Sequence, residues 1–298
     1  MDSANLRQIK KIAMLALFSD DYLMDRLVLK GGNLLDLVYQ ISSRASIDLD
    51  FSLQTDFPTA ELPLVEQRIL AALTSEFSRD GYTVFDVVFC ARPRFVKTPF
   101  NPFWGGYRIE FKVARTQDYD AYKGNRRRLV AAAAGLGEGM KKSLRIDISK
   151  FERCERKQPR EVDGQTIFVY SPEMMVFEKL RAICQQMPEY AKVYGKSCTA
   201  RARDFFDICT ILDNFRIDLL APDNVALVRD IFAAKKVPMR LVGDIPLHRE
   251  YHRPDFEAVQ STAKPGTALR DFDFYFDKVI HRCVKPLEPL WIAQPPAS

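Results

Sequence analysis

Two aspartates, Asp48 and Asp50, alternate with apolar residues in the segment Ser-Ile-Asp-Leu-Asp-Phe-Ser-Leu at positions 46–53. This alternation predicts a strand that carries both carboxylates on one face while Leu49 and Phe51 point into the core. Carboxylates about 7 Å apart along a strand repel each other unless a cation lies between them. Because Mg²⁺ prefers oxygen ligands, the pattern predicts a Mg²⁺ site, with Mn²⁺ as the alternative ion.

A third aspartate, Asp147, is a candidate for the same site. It lies in the alternating segment 144–149, where Leu144, Ile146 and Ile148 are predicted to face the core and Asp147 the opposite side. If this strand lies beside the first, the three carboxylates line one site. Three carboxylates suffice for a two-metal arrangement, with the ions about 3.5–4 Å apart.

A glycine pair, Gly31-Gly32, precedes these aspartates and is followed by a helical segment, 33–40. The start of a helix presents free N–H groups and the positive end of the helix dipole, where phosphates bind. Gly31 and Gly32 are therefore predicted to bind the phosphates of a nucleotide.

The elements that would position these residues divide the chain at about residue 165. Periodicity predicts helices over 6–18 and 59–77 and strands over 46–53, 82–90, 107–114, 144–149 and 166–170. From Ser171-Pro172, a helix N-cap followed by proline at the first helical position, the pattern is helical. We expect an α+β fold, with a mixed sheet and flanking helices in residues 1–165 and a mainly α-helical domain in 166–298.

Positive charge is concentrated in one part of the chain. The 298 residues carry a net charge of +5, but residues 123–160 contain twelve Lys or Arg and four acids, a local charge of +8. Such a basic stretch is typical of proteins that bind RNA or nucleotides. No apolar run reaches the ~18 residues of a membrane span, and the first residues do not form a signal sequence. We therefore expect a cytoplasmic protein without membrane contact.

Four motifs resemble the nucleotidyltransferase-fold toxins of bacterial abortive-infection and toxin–antitoxin systems, the AbiEii/AbiGii (MenT-like) family. They occur in the family's order and span positions 29–207. The motifs are Leu29-Lys30-Gly31-Gly32, Arg44-Ala-Ser46-Ile-Asp48-Leu-Asp50-Phe51, Glu178-Lys179-Leu180-Arg181-Ala182 and Arg201-Ala-Arg203-Asp204-Phe-Phe-Asp207.

The resemblance implies an enzyme that transfers a nucleoside monophosphate from an NTP to an acceptor and releases pyrophosphate. In characterised relatives the acceptor is the 3′ end of tRNA, and the transfer blocks translation. Asp48 and Asp50 match the family's metal-binding carboxylates. Ser46 matches a serine beside the metal site that in some relatives is phosphorylated by a cognate antitoxin, which is therefore an expected partner.

Lys179 and Asp204 match the family's helix lysine and the aspartate of its R-x-(K/R)-D motif. Lys179 is placed at the edge of an apolar helix stripe, where its ammonium group would bind triphosphate oxygens together with Arg201. Asp204 would orient Lys179 or the acceptor hydroxyl. Arg203 and Asp207, four residues apart, are predicted to form only a weak surface pair.

Other functions remain open from the sequence. The acceptor could be a protein side chain or a small molecule, and the D-x-D motif also occurs in metallonucleases. The chain could instead be a catalytically inert module that binds RNA or a protein partner. Asn33, at a position where the family more often has a small residue or threonine, is a departure from the motif.

Overall fold

A computed structural model describes most of the chain, namely residues 3–46, 48–95, 103–135, 142–194 and 198–292. The chain divides into two compact units. The first contains Met1–Val38 and Ser46–Val169, and the second contains Tyr39–Ala45 and Tyr170–Ser298. The polypeptide therefore passes from one unit to the other three times.

The first unit is built on one sheet, which has seven strands within the described residues and the order β3-β4-β5-β2-β1-β7-β6. The strands are β1 (Leu27–Lys30), β2 (Leu49–Leu53), β3 (Tyr82–Arg92), β4 (Gly106–Arg115), β5 (Leu144–Ser149), β6 (Gln158–Val162) and β7 (Gln165–Val169). The central strand β2 pairs with β1 in antiparallel and with β5 in parallel orientation. On the far side of β5, β4 pairs with it in antiparallel orientation.

Helices of the first unit pack against the sheet. They are α1 (Ser3–Phe18), α2 (Asp21–Arg26), α3 (Gly31–Asn33, continued by a π-helical turn at Leu34–Val38), α4 (Leu62–Arg79), α5 (Thr116–Tyr122) and α6 (Arg126–Ala132). Two aromatic contacts show how α1 and α4 cover one face. The ring of Phe18 lies 5.8 Å from that of Phe51 on β2, and Phe77 lies 5.8 Å from Phe111 on β4.

The buried face of α4 follows directly from the sequence. Val65, Ile69, Leu73 and Phe77 recur at intervals of four residues and are all buried, because residues at this spacing share one side of a helix. Each such side chain contributes roughly 1.5–3 kcal/mol when it is buried. The apolar sides of α1 and α4 thus form the core on one face of the sheet. On the opposite face Phe85 of β3 and Ala114 of β4 pack against Leu129 of α6.

The second unit is helical. Its helices are α7 (Pro172–Cys184), α8 (Pro188–Tyr194), α9 (Ala202–Asn214), α10 (Pro222–Ala234), α11 (Leu241–Asp244), α12 (Arg249–His252), α13 (Phe256–Thr262), α14 (Phe272–Val279) and α15 (Glu288–Ile292). An aromatic cluster joins α9 to α14, in which the ring of Phe205 lies 5.0 Å from that of Phe276 and 5.7 Å from that of Phe272.

Hydrogen bonds join the segment Tyr39–Ala45 to the helical unit. The N–H of Ala45 donates to the carbonyl of Thr262 at 2.7 Å, and the carbonyl of Ser43 accepts from the N–H of Lys264 at 2.8 Å. Tyr39 donates its hydroxyl proton to the carbonyl of Tyr170 at 2.7 Å. These bonds tie the segment just before the D-x-D motif into the second unit.

The predicted α+β class is confirmed: a mixed sheet with flanking helices is followed by a helical region. The division of the chain differs from the prediction at residues 1–165 and 166–298. Strand β7 pairs with β1, so the first unit extends to Val169, and Tyr39–Ala45 joins the second unit. Among the described helices, none is long and apolar enough to cross a membrane.

Candidate active site

A row of four charged residues crosses the sheet on the face that α1 and α4 do not cover. In the strand register Lys30 lies opposite Asp50, Asp50 is paired with Asp147, and Asp147 lies opposite Arg108. Directly paired residues project from the same face of a sheet. Two adjacent carboxylates therefore lie between two cations, of which Arg108 pairs with Asp147 at 2.7 Å and Lys30 lies 3.5 Å from Glu152. We call these four residues the charged row.

The fold requires glycine at position 31 for Asp50 to occupy its place in this row. Gly31 has a φ of +77°, and a Cβ atom added to it would lie 2.4 Å from Oδ2 of Asp50. Any other residue would thus be strained in its backbone and would collide with the carboxylate. The turn that follows β1 therefore forms a surface on which the Asp50 carboxylate rests.

Asn33, in the same turn, holds the main chain beside Asp48. Its side-chain amide donates a hydrogen bond of 2.7 Å to the carbonyl of Asp48, and Asn33 is fully buried. Asp48 immediately precedes β2, two residues before Asp50. Its negative charge acts on Arg108, where it contributes, after Asp147, to a raised pKa. The residue that departs from the family motif thus positions one of the two candidate metal ligands.

Lys10 on α1 is a residue of this site that the sequence analysis did not identify. Its ammonium group donates a hydrogen bond to the main-chain carbonyl of Ser46, and only 5% of the residue is exposed. Burial lowers the pKa of Lys10 to about 8, against the opposing influence of the negative charges of Asp36 and Asp48. A signal was present in the sequence, because Lys10 lies on the helix face of Ala13, Met14 and Leu17, all of which are buried.

A magnesium ion fits the donor set at Asp48 and Asp50 better than at Asp147. The carboxylate of Asp147 receives two hydrogen bonds from Arg108, of 2.7 and 2.9 Å. Within the described residues, no three acidic, histidine or cysteine side chains are grouped closely enough to hold a metal ion. Asp48 and Asp50 would supply two oxygens, and Mg²⁺ commonly takes its other ligands from water and phosphate. Ligation by Asp147 would require Arg108 to withdraw, and its role as a metal ligand stays a prediction.

In the second unit, the side chains of Lys179 and Asp204 form a hydrogen bond. Nζ of Lys179 lies 2.9 Å from Oδ1 of Asp204, and Nε of Arg201 lies 2.5 Å from Oδ2 of the same carboxylate. Burial would raise the pKa of Asp204, but the adjacent Arg201 and Lys179 hold that pKa below its usual value. Asp204 is therefore ionised at neutral pH and orients both cations.

The prediction that Asp207 forms a weak surface pair with Arg203 was wrong. Asp207 is 1% exposed and accepts hydrogen bonds from Arg44, at 2.8 and 2.6 Å, and from Lys179, at 2.7 Å. The guanidinium of Arg203 lies instead 3.5 Å from Asp255. The surface interpretation was wrong because helical spacing alone did not reveal that a segment 163 residues earlier supplies Arg44 as a partner.

Lys179 lies deeper than the edge of an apolar stripe, since it is 5% exposed. Burial alone would lower its pKa, but Asp204 and Asp207 raise it above the usual value, so the ammonium group keeps its charge. We call Arg44, Lys179, Arg201, Asp204 and Asp207 the buried ionic cluster. It contains three cations and two carboxylates, an excess of one positive charge.

Three of the twelve basic residues in the predicted face at 123–160 pair with acids that the fold brings from other segments. Arg126 pairs with Asp86 at 2.9 Å, and Lys150 pairs with Asp56. The guanidinium of Arg145 lies 3.5 Å from Glu110. The local charge of +8 therefore does not form one uninterrupted cationic surface.

Comparison with known proteins gives one family and several structures. Residues 12–278 match the sequence profile of the family described as nucleotidyl transferase AbiEii toxin, type IV TA system. No curated relative matches in sequence.

Three solved structures are similar. Protein JHP933 from Helicobacter pylori is 14% identical, with 97% of this chain and 96% of that chain covered and a TM-score of 0.49. A second H. pylori structure is 15% identical, with coverage of 97% and 99% and a TM-score of 0.45. An antigenic nucleotidyltransferase-like protein from Paracoccidioides brasiliensis is 12% identical, with coverage of 89% and 95% and a TM-score of 0.37.

Proposed function

The chain belongs to the AbiEii family of nucleotidyltransferase toxins, and we propose that it transfers a nucleoside monophosphate from an NTP to the 3′ end of tRNA, in the cytoplasm and with Mg²⁺, so that translation stops. The observation that carries this proposal is the pair Asp48 and Asp50. The turn at Gly31 supports the carboxylate of Asp50, and Asn33 holds the main chain of Asp48.

Asp48 and Asp50 would hold the metal ion, which neutralises phosphate charge and makes the inner phosphorus of the NTP easier to attack. In the transfer step, the acceptor hydroxyl oxygen forms a bond to the α-phosphorus. The bond from that phosphorus to the β-phosphate oxygen breaks, pyrophosphate leaves, and the hydroxyl proton is released to water. Catalysis of this kind depends mainly on positioning and charge.

Other residues keep the roles that the family resemblance implies. Gly31 and Gly32 would bind phosphate through main-chain N–H groups. Arg201, whose side chain is 34% exposed, would bind triphosphate oxygens with guanidinium donors other than the Nε that faces Asp204. Lys179 already donates to two carboxylates, so binding of a phosphate oxygen by Lys179 requires one of these bonds to be exchanged.

The experiment incubates the purified protein with each α-labelled NTP, Mg²⁺ and total tRNA, and follows label on the RNA. We expect label at the tRNA 3′ end, and its loss in Asp48→Asn and Asp50→Asn. Asp213→Asn, a change on the exposed surface of the second unit, is the control and should label RNA normally.

The other outcomes each overturn a defined part of the proposal. Label on the protein or on a small molecule would show that the acceptor is not tRNA. Shortened RNA without label would indicate a nuclease. No label with any NTP, from a folded protein, would contradict nucleotidyl transfer to RNA. Toxicity in cells that survives Asp48→Asn would favour an inert binding module.

Control by a cognate antitoxin is proposed at Ser46, two residues before Asp48. A phosphate on Ser46 would add about −1.5 to −2 charges beside the carboxylates and repel the triphosphate. Ser46→Glu should therefore lower transfer strongly, whereas Ser78→Glu, on the exposed end of α4, should not. Full activity of Ser46→Glu would remove the basis for this control.

A further inference from the structure

A cavity of about 400 Å³ lies in the first unit, on the same sheet face as the charged row. Its walls come from β3, β4 and the start of α6. Its charged lining residues are four cations and two acids: Arg92, Arg108, Lys112, Arg126, Asp86 and Glu110. The lining thus carries an excess of two positive charges, and the catalytic carboxylates are not part of it.

A β-bulge shapes this cavity and orients its cations. The register of β3 against β4 shifts between Phe85 and Val88, and Asp86 in the bulge has a φ of +52°. Bulges of this kind redirect side chains at the edge of a sheet. The Asp86 carboxylate accepts from Lys112 at 2.7 Å and from two nitrogens of Arg126 at 2.9 Å. These hydrogen bonds, that of Arg126 foremost, lower the pKa of Asp86.

Two arginines at the cavity remain accessible to a ligand. The Arg126 side chain is 73% exposed. Its Nη1 and Nη2 each donate one hydrogen bond to Asp86, which uses two of the five N–H donors of the guanidinium. Arg92 is exposed on β3, and no acidic side chain in the described part of the chain forms an ion pair with it. Guanidinium groups bind phosphates through several parallel N–H donors. The cavity is therefore suited to a phosphate-bearing ligand.

The strand register relates the cavity to the reacting atoms. Arg108 lines the cavity and lies opposite Asp147, which is paired with Asp50. At about 4.8 Å per strand, Arg108 is roughly 10 Å from Asp50. The turn at Gly31 follows β1, on the other side of Asp50. The carboxylates thus separate the glycine turn from the cavity.

The geometry of in-line displacement indicates which substrate binds on each side of the carboxylates. The attacking and leaving oxygens lie on opposite sides of the phosphorus atom. If the glycine turn binds the phosphates that leave, the acceptor must approach from the side of Asp147 and Arg108. The cavity lies on that side.

We propose that this cavity binds the phosphodiester backbone of the acceptor RNA just before its 3′ end, with Arg92 and Arg126 as phosphate-contacting residues. The inference rests on the proposed function, since it assigns the acceptor side of the same reaction. It also limits the RNA-binding surface to β3, β4 and the start of α6, in place of the whole basic stretch at 123–160.

The test measures binding of a 5′-fluorescein-labelled single-stranded RNA of twelve nucleotides ending in CCA, by anisotropy without NTP, at 50–200 mM salt. We expect the double variant Arg92→Gln/Arg126→Gln to weaken binding at least tenfold. The slope of log K against log salt should fall by about 1.4, because each lost phosphate contact on a single strand removes about 0.7. Arg92→Lys/Arg126→Lys should recover most of the affinity.

The matched control is Arg79→Gln/Arg115→Gln, which removes the same charge from exposed positions of the same unit outside the cavity. Its affinity should change less than twofold. Equal weakening by both double variants would overturn the proposal, because binding would then depend on net charge alone. The same conclusion would follow if the cavity variant raised the KM for the NTP and left the KM for RNA unchanged.

The two proposals fail in different ways. If wild-type protein labels tRNA and the cavity variant does so with an unchanged KM for RNA, the cavity assignment is wrong while the proposed function stands. If the cavity variant loses RNA binding but no NTP labels RNA, the assignment of the binding site stands and the proposed reaction is wrong. Asp48→Asn, which should bind RNA normally, provides the reference for binding without transfer.

Discussion

The guanidinium of Arg44 and the carboxylate of Asp207 are joined by two hydrogen bonds, of 2.8 and 2.6 Å, although 163 residues separate them in the chain. Both residues are buried, and Lys179 donates to the same carboxylate. A buried pair of this kind is costly to break, because the partner that remains keeps its charge without compensation.

Asp207→Asn is therefore expected to lower the free energy of unfolding by about 3–5 kcal/mol, since Arg44 and Lys179 would both lose a negative partner. Urea unfolding measured by circular dichroism gives this value. Asp213→Asn, which breaks a surface pair with Lys278, should cost less than about 1 kcal/mol. Equal losses in the two variants would contradict the assignment of Asp207 to a buried cluster.

Gly31→Ala is expected to abolish nucleotidyl transfer, because the new Cβ would lie 2.4 Å from Oδ2 of Asp50 and displace the carboxylate. Gly81→Ala is a close control. Gly81 has a similar φ of +72°, but a Cβ there meets no atom within 4 Å. The control should lose only about 1–2 kcal/mol of stability from backbone strain and keep its activity, measured as label on RNA per minute.

Lys10→Met should lower transfer by tenfold or more while the protein stays folded. The methionine keeps the apolar part of the side chain but removes the ammonium group that holds the Ser46 carbonyl beside Asp48. Lys11→Met tests the neighbouring position on α1, where the lysine pairs with Asp163 at the surface. Single-turnover rates at saturating NTP measure the effect. If both lysine variants were equally active, Lys10 would have no role in positioning Asp48.

We expect the protein to lose stability in mild acid because of the buried side chain of His252. Its Nδ1 accepts a hydrogen bond from the N–H of Arg201 at 3.1 Å, and burial, followed by the charge of His248, lowers its pKa to about 4. The unfolded chain, with an ordinary histidine pKa of about 6.5, binds the proton more readily than the folded protein. Stability from this group is therefore complete above pH 6.5 and decreases by about 3 kcal/mol as the pH falls to 4.

Urea unfolding at several pH values between 7.5 and 4 tests this dependence. His252→Gln should remove the histidine part of the decrease, because glutamine can accept from Arg201 without titrating. His281→Gln, at an exposed position, should leave the pH dependence unchanged. If the wild type and His252→Gln lost stability in parallel, the pKa of His252 would be close to its ordinary value.

Strand β5 was predicted with its observed bounds because one of its faces is buried and the other is not. Leu144–Ser149 alternates in burial along its whole length, and β5 has these bounds. Strand β1 was not predicted as a strand because all four of its residues are buried, so Leu27–Lys30 shows no alternation. Strand β6 was missed for the opposite reason, since Gln158–Val162 is a polar edge strand that contains Pro159.

The candidate site was predictable to the extent that it depends on local spacing. Alternation predicted the faces of Asp50 and Asp147, which the register pairs on neighbouring strands, whereas Asp48, predicted to lie on the same strand as Asp50, immediately precedes β2. The partners of these residues depend on strand register and long-range packing, which local spacing does not encode. For that reason neither the two hydrogen bonds from Arg108 to Asp147 nor the contact of Lys10 with Ser46 was foreseen.

The passage of residues 39–45 through the second unit constrains how this protein can be divided or recombined. A fragment that begins at Tyr170 would lack Arg44 and leave Asp207 with Lys179 alone. Chimaeras that exchange the helical part between relatives should therefore fold only when they carry the short 39–45 segment along with it. The 39–45 segment and the helical part are therefore expected to be inherited together, although more than 120 residues separate them in the chain.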